Sequence, residues 1–345
     1  MNSSENAPIG FKNFQYKFDF ITIIIAMSFV CFIPSCYCTF KMITFYNKKV
    51  LLNSPNQIHP YVFKSFLLMQ LINIIQVVFD FLLNRIPSTT LLTAFCASFS
   101  VDSFTVPFSV FVFQNFMYTS QLFTILFCYT RVLVLFSPRN CGQVILKLVF
   151  LIYPLFSLVV GAALSFPNLF SSVVCGQLGA PYQLGSIVIT TYYGYTNKIR
   201  HVANLFFSTI IMILIIIATG FMISKIRSRE LIRTSTISKN KAKAETTLTV
   251  TMFLILIPLV FLQLLAVRSF CESEIKAEMF NVFQILSLSR SPLFYYIFVT
   301  RPILSDARTN IVSCYLYSTH PIFKTKNLSS LTSVRSVATN VVAQS

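Results

Sequence analysis

Long apolar runs recur along the chain, and they constrain its fold more than any other feature. A helix of about 20 apolar residues crosses the ~30 Å hydrocarbon core of a bilayer, because each residue rises ~1.5 Å and the helix satisfies its own backbone hydrogen bonds. Seven runs have this length. They are Phe20–Phe40, Tyr61–Leu83, a run inside Ser103–Thr130, Leu148–Phe170, Ala203–Ser224, Thr246–Val267 and Met279–Thr300. The sequence therefore predicts an all-α membrane protein, a seven-transmembrane helix bundle.

Composition excludes most other classes of protein. Of the 345 residues, 55% are hydrophobic and 11% are charged, a composition that a water-soluble domain does not have. The formal net charge is +17, but the basic residues lie between apolar runs rather than on one face that fits a nucleic acid groove. His59, His201 and His320 are far apart in sequence and have no metal-ligand spacing. No nucleophile motif is present either, so we predict no catalytic site, no metal site and no cofactor.

The apolar runs divide the chain into three parts. Residues 1–19 are a polar N-terminal segment, and the run that follows is too long for a signal peptide. Residues 20–300 form the predicted bundle, in which the Gly-rich interval Cys175–Asn197 is expected to be a loop with a hairpin. Residues 301–345 form a tail, whose first part, to about residue 316, is expected to be a short helix lying on the membrane surface.

Charge predicts the orientation of the bundle, because short loops rich in Lys and Arg stay in the cytoplasm. With the N-terminus outside, 19 of the 27 Lys and Arg residues fall on the inner side and seven on the outer side. We therefore predict an extracellular N-terminus and a cytoplasmic C-terminus. Asn2 begins the sequon Asn2-Ser3-Ser4 on the predicted outer side and is a candidate for glycosylation.

Two arginines at the membrane are candidate switch residues. Arg131 ends the third run, where it would hold the inner helix ends together at rest and contact a G protein when they part; alternatively it reaches the lipid headgroups. Arg290 lies midway along the seventh run, and a cation buried there costs at least ~2.5 kcal/mol unless it has a partner. Asp80 is the acidic candidate, with water or the carbonyl groups freed by Pro292 as alternatives.

Prolines mark two further candidates, because a proline removes a backbone hydrogen bond and leaves a point where a helix bends. Pro258 lies in the sixth run, and Pro292 lies in the seventh. The stretch from Ser291 to Tyr295 is similar to the Asn-Pro-x-x-Tyr pattern of receptor seventh helices. Prolines without a switching role are also frequent in membrane helices.

Cysteines provide two candidate modification sites. Cys96 and Cys175 both lie on the predicted oxidising side and are candidates for a disulfide, with Cys271 as a rival partner. Cys314 lies on the predicted surface helix and is a candidate for palmitoylation.

Few polar side chains occur in the outer halves of the third, sixth and seventh runs, and these are candidates for ligand binding. They are Gln114, Asn115, Tyr118, Gln263 and Gln284. An aromatic pocket with few charges favours a neutral or weakly polar small molecule. Each of these residues alternatively forms a hydrogen bond to a neighbouring helix.

Several stretches carry a resemblance to a known family. They are FDFITIII, LTAFCASFS, QLFTILFCYTRVLVLFSP, CGQLGAPYQLGSIVIT, KAETTLTVTMFLILIP and SRSPLFYYIFVTRPILSDAR. On these, the chain resembles a nematode serpentine chemoreceptor of the srg superfamily and is most similar to class U. The resemblance implies a G-protein-coupled receptor in the plasma membrane of chemosensory neurons, with a small chemical cue and a heterotrimeric G protein as partners.

Two other functions are compatible with seven spans. A ligand-gated odorant channel is the main rival, but such channels place the N-terminus inside, which the charge distribution opposes. A membrane transporter is a weaker alternative, because acidic residues are scarce in the spans and no inverted repeat is evident.

Overall fold

The described residues of the computed structural model form seven long helices. The structure describes residues 15–47, 59–97, 104–136, 139–170, 172–178, 182–192, 194–230, 237–274, 292–320 and 323. The helices are α1 (Phe20–Asn47), α2 (Pro60–Asp80), α3 (Thr105–Phe136), α4 (Arg139–Ser165), α5 (Gly194–Glu230), α6 (Ile237–Glu274) and α7 (Pro292–Thr319). Within the described ranges, six helices, α1 to α6, are long and apolar enough to span a membrane. Each of the first six predicted runs overlaps one of them.

The bundle is arranged around α3, which is the most buried of the six candidate spans. Helix α3 packs against α2, α4 and α5, while α7 packs between α1 and α6. Large apolar side chains point outward, as Leu151 and Leu155 do on α4 with 76% and 67% exposure. Polar side chains such as Ser120 and Thr124 are buried inside. This pattern is typical of a helical membrane protein, in which lipid covers the apolar surface and polar groups are paired internally.

The two ends of the bundle differ. The first, here called the disulfide end, contains the disulfide bond between Cys96 and Cys175. There β1 (Ser172–Gln177) pairs antiparallel with β2 (Ile187–Tyr192) in a hairpin. The hairpin matches the expectation for the loop after α4. At the second, here called the Arg131 end, a core of apolar side chains from α1, α2, α3, α5, α6 and α7 fills the interior, and Phe66 meets Phe127 edge to face at 5.5 Å.

Helix α1 begins where an acidic side chain caps it. The Asp19 carboxylate accepts hydrogen bonds from the Thr22 backbone N–H and from the Thr22 hydroxyl, both at 2.8 Å. Such a cap satisfies backbone donors that the first turn of a helix otherwise leaves free. The predicted boundary of the first span at Phe20 is therefore fixed by local chemistry.

Helix α7 differs from the sequence prediction. The predicted seventh span, Met279–Thr300, overlaps only the start of α7, and residues 275–291 lie outside the described part of the chain. The structure has one continuous helix, Pro292–Thr319, where the sequence predicted a span that ends at residue 300 and a separate surface helix that ends at about residue 316. Asp306, Thr309 and Ser313 are buried against α1, so this segment lies inside the bundle. Hydropathy missed it because α7 carries the charged residues Asp306 and Arg308, whose polar contacts are with side chains of other elements.

A π-helical turn, Phe81–Arg85, follows α2 and leads into a short helical turn, Ile86–Ser88. A π turn holds one residue more than an α turn, so residues five apart face the same side. Asp80 and Arg85 are five apart and form an ion pair at 2.6 Å. The turn therefore places the two charges against each other at the end of α2.

We predict that α4 tolerates no side chain at Gly161. A Cβ there would overlap the side chains of Asn115 and Thr119 on α3 and lie 3.1 Å from the Asn115 carbonyl oxygen. Gly161→Ala should therefore lower the free energy of unfolding by about 1–3 kcal/mol, the usual cost of overpacking. Thermal unfolding of the purified protein in detergent measures this effect.

Gly220→Ala is the matched control, because a Cβ at Gly220 meets nothing within 4 Å. Alanine has the better helix propensity, by about 1 kcal/mol, so this variant should be neutral or slightly more stable. Equal melting temperatures for the two variants would contradict the close approach of α3 and α4.

Candidate functional site: polar contacts inside the helix bundle

A buried ion-pair cluster joins three parts of the bundle near the disulfide end. Arg85 binds Asp306 of α7 through both terminal nitrogens, with Nη1–Oδ2 at 2.5 Å and Nη2–Oδ1 at 2.7 Å. Its Nε donates to Asp80 Oδ2 at 2.6 Å, and Nη1 also lies 2.7 Å from the Ser28 hydroxyl of α1. The Ser28 hydroxyl donates to Asp306 at 2.9 Å. We call these four residues the Arg85 cluster.

The geometry of the Arg85 cluster compensates the cost of burying charge. Arg85 and Asp306 have side chains that are 2% and 1% exposed, whereas that of Asp80 is 22% exposed. A bidentate guanidinium–carboxylate pair is among the strongest side-chain contacts. The Phe81 ring lies 4.3 Å from the Arg85 guanidinium and adds a cation–π contact. The cluster therefore holds α1, the end of α2 and α7 together.

A second polar layer lies between α2, α3 and α7. Arg308 Nη2 contacts the Ser120 hydroxyl at 2.8 Å, Gln76 Oε1 at 3.3 Å and Asn73 Oδ1 at 3.4 Å. The Ser120 hydroxyl donates to Asn73 Oδ1. We call these four residues the Arg308 layer. It joins the central helix α3 to α7.

Small polar groups continue the contact between α1 and α7 toward the Arg131 end. The Ser35 hydroxyl donates to the Thr309 carbonyl oxygen at 3.1 Å, and the Thr39 hydroxyl donates to the Ser313 hydroxyl at 3.2 Å. Contacts advance along both helices in the same direction, so α1 and α7 are parallel. The Cys314 side chain hydrogen-bonds that of Cys38 on α1. Cys314, the palmitoylation candidate, therefore lies at a helix–helix contact and not on the surface helix that the sequence predicted.

Arg131 lies at the other end of the bundle and connects α3 to α6. Only 4% of the residue is exposed, and its Nη1 donates to the backbone carbonyl oxygen of Leu248 at 2.6 Å. The Phe127 ring lies 6.0 Å from the guanidinium. The acceptor is a backbone carbonyl oxygen, which explains how Arg131 is paired although the residue that precedes it, Thr130, is not acidic. The alternative that Arg131 extends to lipid headgroups is not what the structure shows.

Two of the ligand-binding candidates contact α5. The Tyr118 hydroxyl donates to Asn204 Oδ1, and Gln263 Nε2 donates to the Thr209 hydroxyl at 2.5 Å. Both residues therefore form the interhelical bonds that were the alternative to ligand binding. Asn115 accepts a bond from Thr119 at 3.2 Å on its own helix.

Gln114 is the ligand-binding candidate whose amide oxygen is buried without a hydrogen-bond partner among the described residues. The structure gives no position for Gln284, which lies outside the described residues.

The remaining candidates are only partly described. Pro258 is buried inside α6, and Pro292 begins α7. Tyr295 lies in the first turn of α7, and Cys271 lies in α6; the side chains of both are outside the described part of the structure. Arg290 and the glycosylation candidate Asn2 lie outside the described residues. Asp80, the predicted partner of Arg290, is paired with Arg85.

The disulfide candidates are brought together. Cys96 and Cys175 form a disulfide bond with their Cα atoms 6.2 Å apart. The hairpin that contains Cys175 is held further by Thr93, whose hydroxyl donates to the Gly185 carbonyl oxygen, and by Gln183, whose amide donates to the Lys17 carbonyl oxygen at 3.1 Å. The hairpin is therefore anchored to the end of the bundle.

Two histidines next to the helices are uncharged at neutral pH. His320 follows the last residue of α7, and burial lowers its pKa to about 4. Burial also lowers the pKa of His59, which precedes α2. Desolvation disfavours the charged imidazole in both cases. These two histidines therefore add no positive charge at the Arg131 end of the bundle, where the basic residues are Lys and Arg.

Sequence reasoning missed the three buried charges that organise α7. Arg85 lies just beyond the predicted second run, which ends at Leu83, and Asp306 and Arg308 lie in the predicted tail. One signal was available, because Asp80 and Arg85 are opposite charges at the end of an apolar run. The partner Asp306 is 221 residues away along the chain, and only the fold reveals this contact.

These features define a class of protein, a multi-span helical membrane protein whose helices are joined by buried polar contacts. The family follows from comparison with known sequences. The sequence model of the "Serpentine type 7TM GPCR chemoreceptor Sru" family matches residues 8–326, and the chain belongs to this family. The predicted similarity to class U serpentine chemoreceptors is thus confirmed.

One relative is similar over part of the chain. "Serpentine receptor class U-26" from Caenorhabditis elegans is 27% identical over 169 residues, which are 46% of this chain and 54% of the relative. The chain spans about half the length of the curated relative it matches.

We predict that Arg85 and Asp306 are energetically coupled. Arg85→Met leaves the buried Asp306 carboxylate without its cation, and breaking a buried pair in this way costs about 3–5 kcal/mol. The double variant Arg85→Met/Asp306→Asn removes the stranded charge, so it should be more stable than Arg85→Met alone. Thermal unfolding of all variants in one detergent gives the coupling energy. Additive effects, within about 0.5 kcal/mol, would show that the two residues do not interact.

Proposed function

We propose that the protein is a chemosensory receptor that binds a small external chemical and activates a heterotrimeric G protein. In this proposal the N-terminus is extracellular, α1 to α7 are the seven spans, and the receptor acts in the plasma membrane of chemosensory neurons. Class U is in turn proposed to belong to the srg superfamily. Membership in the Sru family supports this function. The excess of Lys and Arg on the Arg131 side supports the orientation.

The single observation that carries the proposed mechanism is the bond from Arg131 to the Leu248 carbonyl oxygen. It joins α3 to α6 at the end where the basic segment Lys225–Lys243 connects α5 to α6. A ligand activates the receptor only if it binds the active state more tightly than the resting state. We propose that activation moves α6 away from α3, frees Arg131 and exposes it, with the basic segment, to the G protein.

The proposed binding region lies between α3, α5 and α6 toward the disulfide end. Tyr118 and Gln263 link α3 and α6 to neighbouring positions of α5. A ligand that competes for these hydrogen bonds, or that binds the Gln114 amide oxygen, which has no partner in the described part of the chain, changes how the three helices pack. The side chains around them are aromatic and uncharged, as in the edge-to-face pair Tyr118–Phe207 at 5.2 Å. We therefore propose a neutral or weakly polar ligand.

Arg131→Ala tests the mechanism. A screen of small chemicals on cells that express the receptor with a panel of G proteins supplies an agonist. We expect Arg131→Ala to lower agonist-stimulated nucleotide exchange about 10-fold or more at equal surface expression, because the variant loses the proposed active-state contact with the G protein, and a hydrogen bond to a charged group contributes about 1.5–3 kcal/mol. Lys41→Ala is the control, since Lys41 is an exposed cation on α1 toward the same end. Unchanged signalling by Arg131→Ala would refute the coupling role.

A further inference from the structure

The Arg308 layer contains a buried cation without a direct counter-ion. Arg308 is 7% exposed, and its three hydrogen bonds to described residues are with the neutral oxygens of Ser120, Gln76 and Asn73. All three use Nη2, although a guanidinium carries five N–H donors. Among the described side chains, no carboxylate lies within 4 Å of Arg308. The nearest acidic residue in sequence, Asp306, binds Arg85 through both of its oxygens.

Among the described buried charges near the Arg85 cluster, Arg308 is the one without a carboxylate within 4 Å, and Arg131, a further buried cation, lies at the opposite end of the bundle. Arg85 and Asp306 neutralise each other, and both are almost fully buried. Asp80 adds a negative charge, but its side chain is 22% exposed and is therefore partly solvated. Arg308 remains as a positive charge in the interior. Burying an unpaired charge costs several kcal/mol, so an anion at this position would be strongly favoured.

Amide groups next to Arg308 supply further donors. Asn73 is fully buried, and its Nδ2 has no hydrogen-bond partner among the described residues. Gln70 lies one turn before Asn73 on the same face of α2, and neither its nitrogen nor its oxygen has a partner there. Buried polar atoms are rarely left unpaired in a folded protein. The α2 face beside Arg308 therefore presents unused N–H donors within a positively charged interior.

We propose that a small inorganic anion of the chloride type binds between α2, α3 and α7, held by the Arg308 guanidinium and the Asn73 amide, with Gln70 as a further donor. The anion accepts hydrogen bonds from N–H groups that have no partner among the described residues, and it neutralises the positive charge of Arg308. It stabilises the contact of α7 with α2 and α3. Water is the other candidate occupant of such a polar layer. The stability of the protein depends on the chloride concentration if an anion occupies the layer, and does not if water does.

Thermal unfolding of the full chain in detergent tests the proposal with sodium chloride as the probe. Chloride is exchanged for gluconate at constant ionic strength, since gluconate is too large for the layer. We expect the melting temperature to rise with chloride along a saturating curve, by about 3–6 °C at saturation. Excess broadening of the chloride-35 NMR line, reversed by bromide, reports binding without reference to stability.

Two variants connect this effect to the Arg308 layer. Asn73→Asp places a carboxylate beside Arg308 in a side chain of nearly the same shape, so the protein should stay folded and lose the chloride dependence. Gln70→Leu removes two buried polar atoms that have no partner among the described residues, so it should raise the melting temperature in gluconate while reducing the chloride-dependent increase. Arg227→Gln is the control, because Arg227 is exposed at the end of α5 and its loss should leave the chloride dependence unchanged.

The proposal fails if the wild-type melting temperature is the same in chloride and gluconate, which would indicate water in the layer. It also fails if Asn73→Asp retains the full chloride dependence, which would place the anion elsewhere on the protein. Neither outcome bears on receptor signalling, so the proposed function is judged separately.

Discussion

The position of α7 depends on the ion pair between Arg85 and Asp306. Inside a hydrocarbon layer, a charge is tolerated only when another part of the protein compensates it. Asp306 meets this requirement by binding Arg85 at the end of α2 and Ser28 on α1. This fixes the register of α7 against α1, and the contacts of Thr309 and Ser313 with α1 follow from it. The same register turns Arg308 toward Ser120 on α3.

The polar contacts differ in strength along the bundle, and the differences indicate which helices are able to move. Helix α7 is held by a bidentate ion pair and a ladder of hydroxyl contacts. Helix α6 is linked to α3 by the Arg131 bond to the Leu248 carbonyl oxygen, and to α5 by Gln263. Single hydrogen bonds of this kind contribute about 0.5–3 kcal/mol. A ligand of ordinary affinity is able to offset that amount, so α6 is the helix that the proposed mechanism moves.

The sequence predicted those parts of the fold that depend on local composition. Six apolar runs became the six candidate spans, because a stretch of that length and hydropathy has one stable conformation in lipid. The hairpin after α4 followed from Gly and polar residues. The sequence predicted a seventh span that ends at residue 300, because charged residues such as Asp306 and Arg308 follow and indicate a tail. The contact of Asp306 with Arg85, which allows this segment to lie inside the bundle, has no sequence pattern. The π turn that aligns Asp80 with Arg85 has no hydropathy signal at all.

The candidate site was predictable only where position alone carries information. Arg131 was identified because a cation ends an apolar run, but its acceptor is a backbone carbonyl oxygen, which no sequence pattern marks. Tyr118 and Gln263 were identified as polar residues in apolar helices. Their orientation toward α5 depends on helix rotation, which the sequence does not fix. The Arg308 layer combines residues from three helices, so it emerges only from tertiary packing.

The central claim is that α7 lies inside the bundle with Ser313 opposite Thr39 of α1, whose hydroxyl oxygens are 3.2 Å apart. Cysteine cross-linking tests this directly: Thr39→Cys and Ser313→Cys are introduced together, with Cys38 and Cys314 replaced by serine, and the membranes are oxidised. The structure predicts rapid disulfide formation between positions 39 and 313 and none between Ser313→Cys and a cysteine at the outward-facing Leu151. Absence of the first cross-link, with the protein folded and at the cell surface, would contradict the position of α7 and place this segment outside the bundle.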